Sequence, residues 1–385
     1  MITLFNTRKA TAFIGAIVLL TSPISAQNTV RKTLSKSALY AGIEVGAKGV
    51  KMSVVEVSSQ SKKGTSFTTV ADTSVNTDFI SFTESSFQAT VGGMQTLFNK
   101  AVNQYQIPAE RIFTAISSGV KGQAEKENKM NWVQNLADSF RSRIFDPNRT
   151  VQVIDVLEEA RLSHLGIVPD QRRFSTFLID IGSGNTKGGY FPNGNTRDFK
   201  LFQINWGTKS TFNQSDKRCE DDKTLQNYFK QLNRVLTGAA ATDVVYAVNE
   251  SGAFNMNDFI AFSGGIAWAS STLLYPELID NPVVPVTYEE VEKLYNQLYN
   301  NYTSLQAPVL TKELADKTLD AAKISREIKR VHGVFDQKAL LAGTGLLLKI
   351  MRQFNGVYEK KEFYLVKNGQ VGWISAYVKQ QLQQP

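Results

Sequence analysis

Two carboxylates, each closing an apolar stretch and followed by a glycine turn, carry the chemistry most readily read from this chain. The first segment is Gly42-Ile43-Glu44-Val45-Gly46-Ala47-Lys48-Gly49-Val50-Lys51, and the second is Leu178-Ile179-Asp180-Ile181-Gly182-Ser183-Gly184-Asn185-Thr186-Lys187. Glycines let backbone N–H groups approach phosphate oxygens, and a carboxylate beside them can hold a magnesium ion directly or through water. Taken alone, the first segment reads more simply as a plain β-hairpin. The second is more specific, because an acid at the end of a buried strand is costly unless something pairs with it. Glu44 and Asp180 are therefore the candidate magnesium ligands. Gly46, Lys48, Gly49 and Lys51 in one turn, and Gly182, Ser183, Gly184, Asn185 and Thr186 in the other, form the candidate phosphate cradle.

The elements that must position these turns follow from period-2 apolar runs and turn residues. Leu39–Val45 and Val50–Val57 read as strands around the first turn, with a third strand at Phe67–Val75 and a helix from Phe87 to Tyr105. Further strands are expected at Arg111–Ser117 and Val151–Val156, and helices at Lys129–Ile144 and Leu157–Gly166. After the polar stretch Pro169–Arg173 the pattern restarts, with strands at Phe174–Ile181, Thr186–Phe191 and Arg197–Ile204 and a hairpin turn at Asn193-Gly194-Asn195. A strand at Asp258–Ser263, a long helix at Asp336–Phe354, a strand at Phe363–Lys367 and a terminal helix follow. Three strands in series and then a helix is the opening of a ribonuclease H-like domain, and here it occurs twice. The expected fold class is α/β, with two ribonuclease H-like domains at 38–170 and 171–385 and a cleft between them. The second domain carries the helical insertions, and the terminal helix is expected to pack back on the first.

In order along the chain, six segments resemble the exopolyphosphatase/guanosine pentaphosphate phosphohydrolase family, which is part of the actin-like superfamily. They are Glu44 to Gly49, Ile116-Ser117-Ser118-Gly119-Val120-Lys121, Glu158-Glu159-Ala160-Arg161-Leu162, Asp180 to Lys187, Ser263-Gly264-Gly265-Ile266 and Leu341-Ala342-Gly343-Thr344-Gly345. The resemblance implies an actin-like pair of lobes, with terminal phosphates of polyphosphate or a nucleotide polyphosphate held between them beside magnesium. It adds Ser117, Ser118, Lys121, Gly264 and Gly265 to the phosphate-binding candidates. It makes Glu159 the catalytic candidate, orienting or deprotonating water for in-line attack on the end phosphorus, a reaction that depends mainly on positioning and charge neutralisation. A glutamate in the first turn of a helix is also favoured simply by the helix dipole.

The departures share a direction. Glu44 stands where the family has Asp, Lys121 where it has Arg, and Lys187 where it has a metal-associated Glu. Ala47, Lys48 and Gly49 replace Ser-Asn-Ser, and Lys367-Asn368-Gly369-Gln370-Val371-Gly372 replaces Ser-Asp-x-Gly-Leu-Arg-Glu-Gly. One expectation is that lysines partly take over phosphate neutralisation from the metal, so that binding survives chelator but weakens steeply with salt. The other is that Lys48 and Lys187 point to solvent. Two functions stay open: a phosphohydrolase, or a catalytically impaired relative that binds phosphate polymers or a protein partner. A kinase or ATPase, also found in the superfamily, is disfavoured by the expected export.

That export is read from the first residues. Arg8 and Lys9 precede an apolar stretch, Ala10–Leu20, which Thr21-Ser22-Pro23 interrupts, and Ser25-Ala26 supplies small residues for cleavage before Gln27. Residues 1–26 are expected to be a secretory leader and 27–37 a linker, with the mature protein periplasmic or secreted. The stretch is shorter than the roughly 20 apolar residues of a spanning helix. With 385 residues the chain can bury two cores. Its net charge of +8 permits a polyanionic partner, but basic runs are short and nucleic acid is not expected. Cys219 is the only cysteine, so no internal disulfide is available. Two histidines in separate segments, His164 and His332, support neither a histidine metal site nor a serine triad. No Walker-type loop or dinucleotide fingerprint occurs. The aromatic stretch Tyr288–Tyr302 has helical spacing and is expected to pack. A homodimer is left open.

Overall fold

The restart near Phe174 appears as two sheets with one strand order. The computed structural model describes residues 37–47, 49–60, 64–316, 318–356, 359–367 and 372–382. The expected leader, the linker up to residue 36, Lys48 and the segment 368–371 lie outside these residues. In the first sheet β1 (Ser37–Gly46), β2 (Gly49–Gln60) and β3 (Gly64–Asn76) form an antiparallel meander, and β4 (Ile112–Ile116) and β5 (Val151–Val153) join in parallel, giving the order β3-β2-β1-β4-β5. In the second sheet β6 (Thr176–Ile181), β7 (Thr186–Tyr190) and β8 (Lys200–Ile204) repeat the meander. The strands β9 (Phe259–Ser263) and β11 (Glu362–Val366) then add in parallel, and β10 (Val283–Val286) closes the edge. Read from the third meander strand outward, the second sheet is β8-β7-β6-β9-β11-β10, so its first five strands copy the first sheet.

The first lobe adds α1 (Glu84–Asn103), α2 (Ser118–Lys126), α3 (Met130–Arg143) and α4 (Val156–Ile167). Thr83 and Ser86 form a reciprocal capping box that starts α1, and Phe87, Val91, Met94 and Leu97 then face Ile43, Val50 and Met52 in one core. The helix α2 has little sequence signal, because Gly119 and Gly122 and its polar residues hide the short apolar pair Val120 and Ala124 that it buries.

The second lobe adds α5 (Thr208–Lys217), α6 (Leu225–Thr237), α7 (Ala239–Ser251), α8 (Ala253–Met256), α9 (Gly265–Leu274), α10 (Tyr288–Asn300), α11 (Ala307–Lys312), α12 (Ala321–Val334), α13 (Gln337–Phe354) and α14 (Gly372–Gln381). Its core centres on α13, whose stretch Leu340–Leu348 is buried throughout. The aromatic face of α10 packs as its spacing predicts, Tyr299 stacking on Phe229 at 3.9 Å. The strand β10 escapes sequence reading because it contains Pro285. Pro is tolerated there because β10 is an edge strand pairing only with β11.

Two helices cross between lobes. The helix α14 lies on the first lobe, with Ile374 and Tyr377 in a cluster with Ala115, Ile154 and Leu162, and Tyr377 donating to Gln152 Oε1 at 2.8 Å. A Cβ on Gly42 would come within 2.5 Å of Ile374, so β1 and α14 meet at a distance only glycine permits. The helix α4, in turn, reaches the second sheet. His164 is fully buried, its Nε2 3.0 Å from the Thr176 carbonyl and its ring edge-on to Phe191, and burial holds its imidazole neutral down to about pH 4. The sole cysteine, Cys219, is buried and unbridged. Among the described residues no helix is long and apolar enough to cross a membrane.

Candidate functional site

Ligands of open α/β sheets sit beyond the carboxyl ends of the parallel strands. In the first sheet those ends are Gly46 and Ile116, tied together where Ser117 N–H donates to the Val45 carbonyl at 3.0 Å; in the second they are Ile181 and Ser263. The hairpin registers repeat across the lobes. Glu44 lies opposite Lys51 on β1 and β2, and Asp180 lies opposite Lys187 on β6 and β7. Each glycine turn thus carries an acid on its incoming strand and a lysine on its outgoing one, at equal sequence spacing.

The third acid comes from α4. Asp155 caps that helix by accepting from Glu158 N–H at 2.8 Å, which places Glu159 in the first turn. Glu159 is only 3% exposed. One of its oxygens, Oε1, is 2.6 Å from Lys187 Nζ, and Oε2 accepts from the Ser118 backbone N–H at 2.6 Å. A helix from the first lobe is therefore joined to a strand of the second through a buried ion pair. Asp180 Oδ1 accepts from the Ser263 hydroxyl at 2.9 Å. Glu44 is 5% exposed, and its Oε2 has no hydrogen-bond partner among the described residues.

The electrostatics follow from burial and from the ammonium groups of Lys187 and Lys51. Burial pushes the Glu44 carboxyl up to about 7, Lys51 and Lys187 opposing the shift and Glu159 and Asp180 reinforcing it. Burial also raises Asp180, against the pull of Lys187 and the Ser263 hydrogen bond. Burial would raise Glu159 too, but the Lys187 charge and the hydrogen bonds from Lys187 and Ser118 outweigh it and hold the carboxyl below its ordinary value. Burial works against the Lys187 ammonium, yet the fields of Glu159, Asp180 and Glu44 keep it charged. These four side chains act on one another, as residues of one site must.

The remaining candidates lie around this floor in different ways. A Cβ on Gly46 would stand 3.4 Å from Glu44 Oε1, and one on Gly49 would fall 2.4 Å from the Val75 carbonyl. Gly182 N–H donates to the Asn185 carbonyl at 3.0 Å, while the Gly182 and Ser183 carbonyls accept from Thr208 and Lys209 at the start of α5 at 2.9 and 2.8 Å. The amides of Ser183 and Gly184 make no backbone hydrogen bond to the described residues, and the space around Gly184 is open. The Asn185 amide likewise donates no backbone hydrogen bond among the described residues. The Thr186 hydroxyl is committed inward, to the Trp206 carbonyl at 2.7 Å. Ser117 and Ser118 are buried, and Lys51 is half-buried on β2. Lys121 lies along α2, 3.8 Å from Glu125 in an ion pair, rather than in contact with Glu159. At the cleft's rim Lys209 reaches Asp78 of the first lobe at 3.6 Å, a pair partly exposed and worth little energetically. Gly265 begins α9. Gly264 has φ of +95°, and a Cβ there would press on Asp180 Oδ1 at 3.1 Å and on the Ile181 carbonyl at 2.3 Å. We expect Gly264→Ala to lose about 1–3 kcal/mol of stability in urea titration, from the backbone conformation and the displaced carbonyl. A loss no larger than that of Gly333→Ala, where nothing stands within 4 Å, would contradict this.

Lys187 is the residue sequence reading places least well. It does not point to solvent, being 6% exposed. Its alternation with the buried Thr186 and Gly188 gives no sign, since all of β7 is buried. The same side chain decides whether magnesium fits. Among the described residues no three His, Cys, Asp or Glu side chains are placed to hold a metal ion, and an ammonium already stands among the carboxylates. With the charged Lys187 beside them, these carboxylates do not fit a magnesium site.

Two meanders facing each other across paired glycine turns define an actin-like α/β fold. No family model matches the sequence, and no curated protein matches it. Solved structures do share the fold. A Ppx/GppA family member from Aquifex aeolicus superposes with a TM-score of 0.60 at 14% identity, covering 91% of this chain and all (100%) of that one. An exopolyphosphatase-like protein gives 0.58 at 12% identity, over 89% of this chain and 98% of the other. An exopolyphosphatase from Cytophaga hutchinsonii gives 0.54 at 13% identity, over 89% and 97%. The resemblance read from the six segments therefore holds at the level of the fold, which is that of the Ppx/GppA structures.

Proposed function

We propose that the cleft binds the terminal phosphates of polyphosphate or a nucleotide polyphosphate, and that binding rather than rapid hydrolysis is its principal activity. The observation that carries this reading is the ion pair between Glu159 and Lys187. A general base needs a proton affinity near the working pH. Glu159 has one oxygen on an ammonium and the other on the Ser118 N–H, and its affinity for protons is lowered. The free amides of Ser183 and Gly184, with Lys51 close enough to act on Glu44 and Asp180, supply donors and charge for phosphate oxygens.

A second reading, hydrolysis with Glu159 orienting the attacking water, is favoured by the position of Glu159 itself. It sits in the first turn of α4, ion-paired to Lys187 of the second hairpin and acting on Glu44 and Asp180. Phosphate release from long-chain polyphosphate and from guanosine pentaphosphate, with magnesium present, separates the two. We expect saturable binding of both and release no faster in the wild type than in Glu159→Gln. Release that Glu159→Gln abolishes would establish the second reading, and absence of binding would remove the first.

A further inference from the structure

Glu44 and Glu159, both buried, and Asp180, half-buried, bring three acids to one floor, and their charge has to be balanced there. Lys187 Nζ, 2.6 Å from Glu159 Oε1, is the buried ammonium here, while the half-buried Lys51 lies opposite Glu44, and the Lys187 strand is buried from Thr186 to Tyr190. That strand is hydrogen-bonded on both sides, to β6 and β8, so the charge is delivered by a fixed backbone. Glu44 Oε2 is buried and has no hydrogen-bond partner among the described residues. Hard divalent cations need only one or two carboxylates, completing their shell with water.

We infer that Lys187 is a built-in counter-cation, holding beside Glu159 and Asp180 the place that a divalent ion drawn from solution would otherwise take. Taking the ammonium away converts the floor into a site that recruits such an ion. That much stands whatever the cleft binds; the corollary, that anions enter without metal, rests on the function proposed above.

The test compares full-length wild type, Lys187→Arg and Lys187→Gln in thermal unfolding and in manganese titration followed by electron paramagnetic resonance. Wild type and Lys187→Arg should show no stoichiometric manganese binding and no change in Tm with millimolar magnesium or manganese. Lys187→Gln should bind one manganese ion and recover roughly 5 °C of Tm at saturation. Adding Asp180→Asn to Lys187→Gln should abolish the response. Folded Lys187→Gln indifferent to both ions would overturn the inference, as would stoichiometric manganese in the wild type. If Lys187→Gln does not fold alone, its refolding on manganese supports the inference; if it folds under neither condition, the wild type and Lys187→Arg titrations decide. Tripolyphosphate binding in the presence of a chelator is a separate arm. Binding that the chelator abolishes overturns the corollary. Absence of binding with and without magnesium strikes the proposed function alone and leaves the manganese result to judge Lys187.

Discussion

Glu44→Gln should make the protein more stable at pH 8, by about 3 kcal/mol, while leaving it nearly unchanged at pH 4. The sign follows from proton linkage. The folded state raises the Glu44 carboxyl from 4.5 to about 7, so the unfolded chain releases the proton first as pH rises. Stability from this group is unpenalised below about 4.5, declines between 4.5 and 7, and is fully reduced above 7. Every tenfold change in proton affinity between the folded and unfolded chain corresponds to about 1.4 kcal/mol. An amide at this position carries no charge and escapes the penalty. Urea titrations of both proteins at pH 4, 6 and 8 should show midpoints that separate progressively. An equal gain at every pH would mean that packing, not ionisation, is responsible. A loss at pH 8 would mean that Glu44 is satisfied by a contact the isolated protein makes in solution.

Lys187→Met should cost about 3–5 kcal/mol at neutral pH, because it strands buried carboxylates without their cation. The double variant Lys187→Met/Glu159→Gln should recover part of this, with a coupling of about 1–3 kcal/mol between the two positions. Against a total stability of about 5–15 kcal/mol the single variant is severe but measurable. Additive effects would show that the 2.6 Å contact is incidental to stability.

The duplicated meander is legible in the sequence because two properties repeat together: period-2 apolar strands and an acid beside a glycine turn at matching places. Glu44 and Asp180 can be read from those turns, and Glu159 only through the resemblance of Glu158-Glu159-Ala160-Arg161-Leu162, since the helix cap at Asp155 lies in a stretch that reads as strand. What cannot be read is the partner of each acid. Lys187 follows Thr186 inside a strand buried on both faces, and no periodicity distinguishes a lysine aimed at a carboxylate from one aimed at solvent. The Ser118 N–H reaching Glu159 depends on α2, a helix whose glycines mask its start. The Ser263 hydroxyl on Asp180 requires β9 to lie beside β6, a pairing fixed by tertiary packing over a long sequence separation. Strand β10 goes unread for a local reason, Pro285, whose missing N–H is harmless only because no strand lies beyond it.

The placement of α14 on the first lobe sets an order for biosynthesis. Ile374 and Tyr377 fill the space beside Gly42, Ala115 and Leu162, although they follow every other described element along the chain. While the polypeptide is still emerging, the amino-terminal sheet has its strands but lacks this cover, and an apolar strip remains open to chaperones or to neighbouring nascent chains. Completion of that half must await residues that follow every other described element, so a product lacking Ile374 and Tyr377 would be damaged most in its amino-terminal sheet.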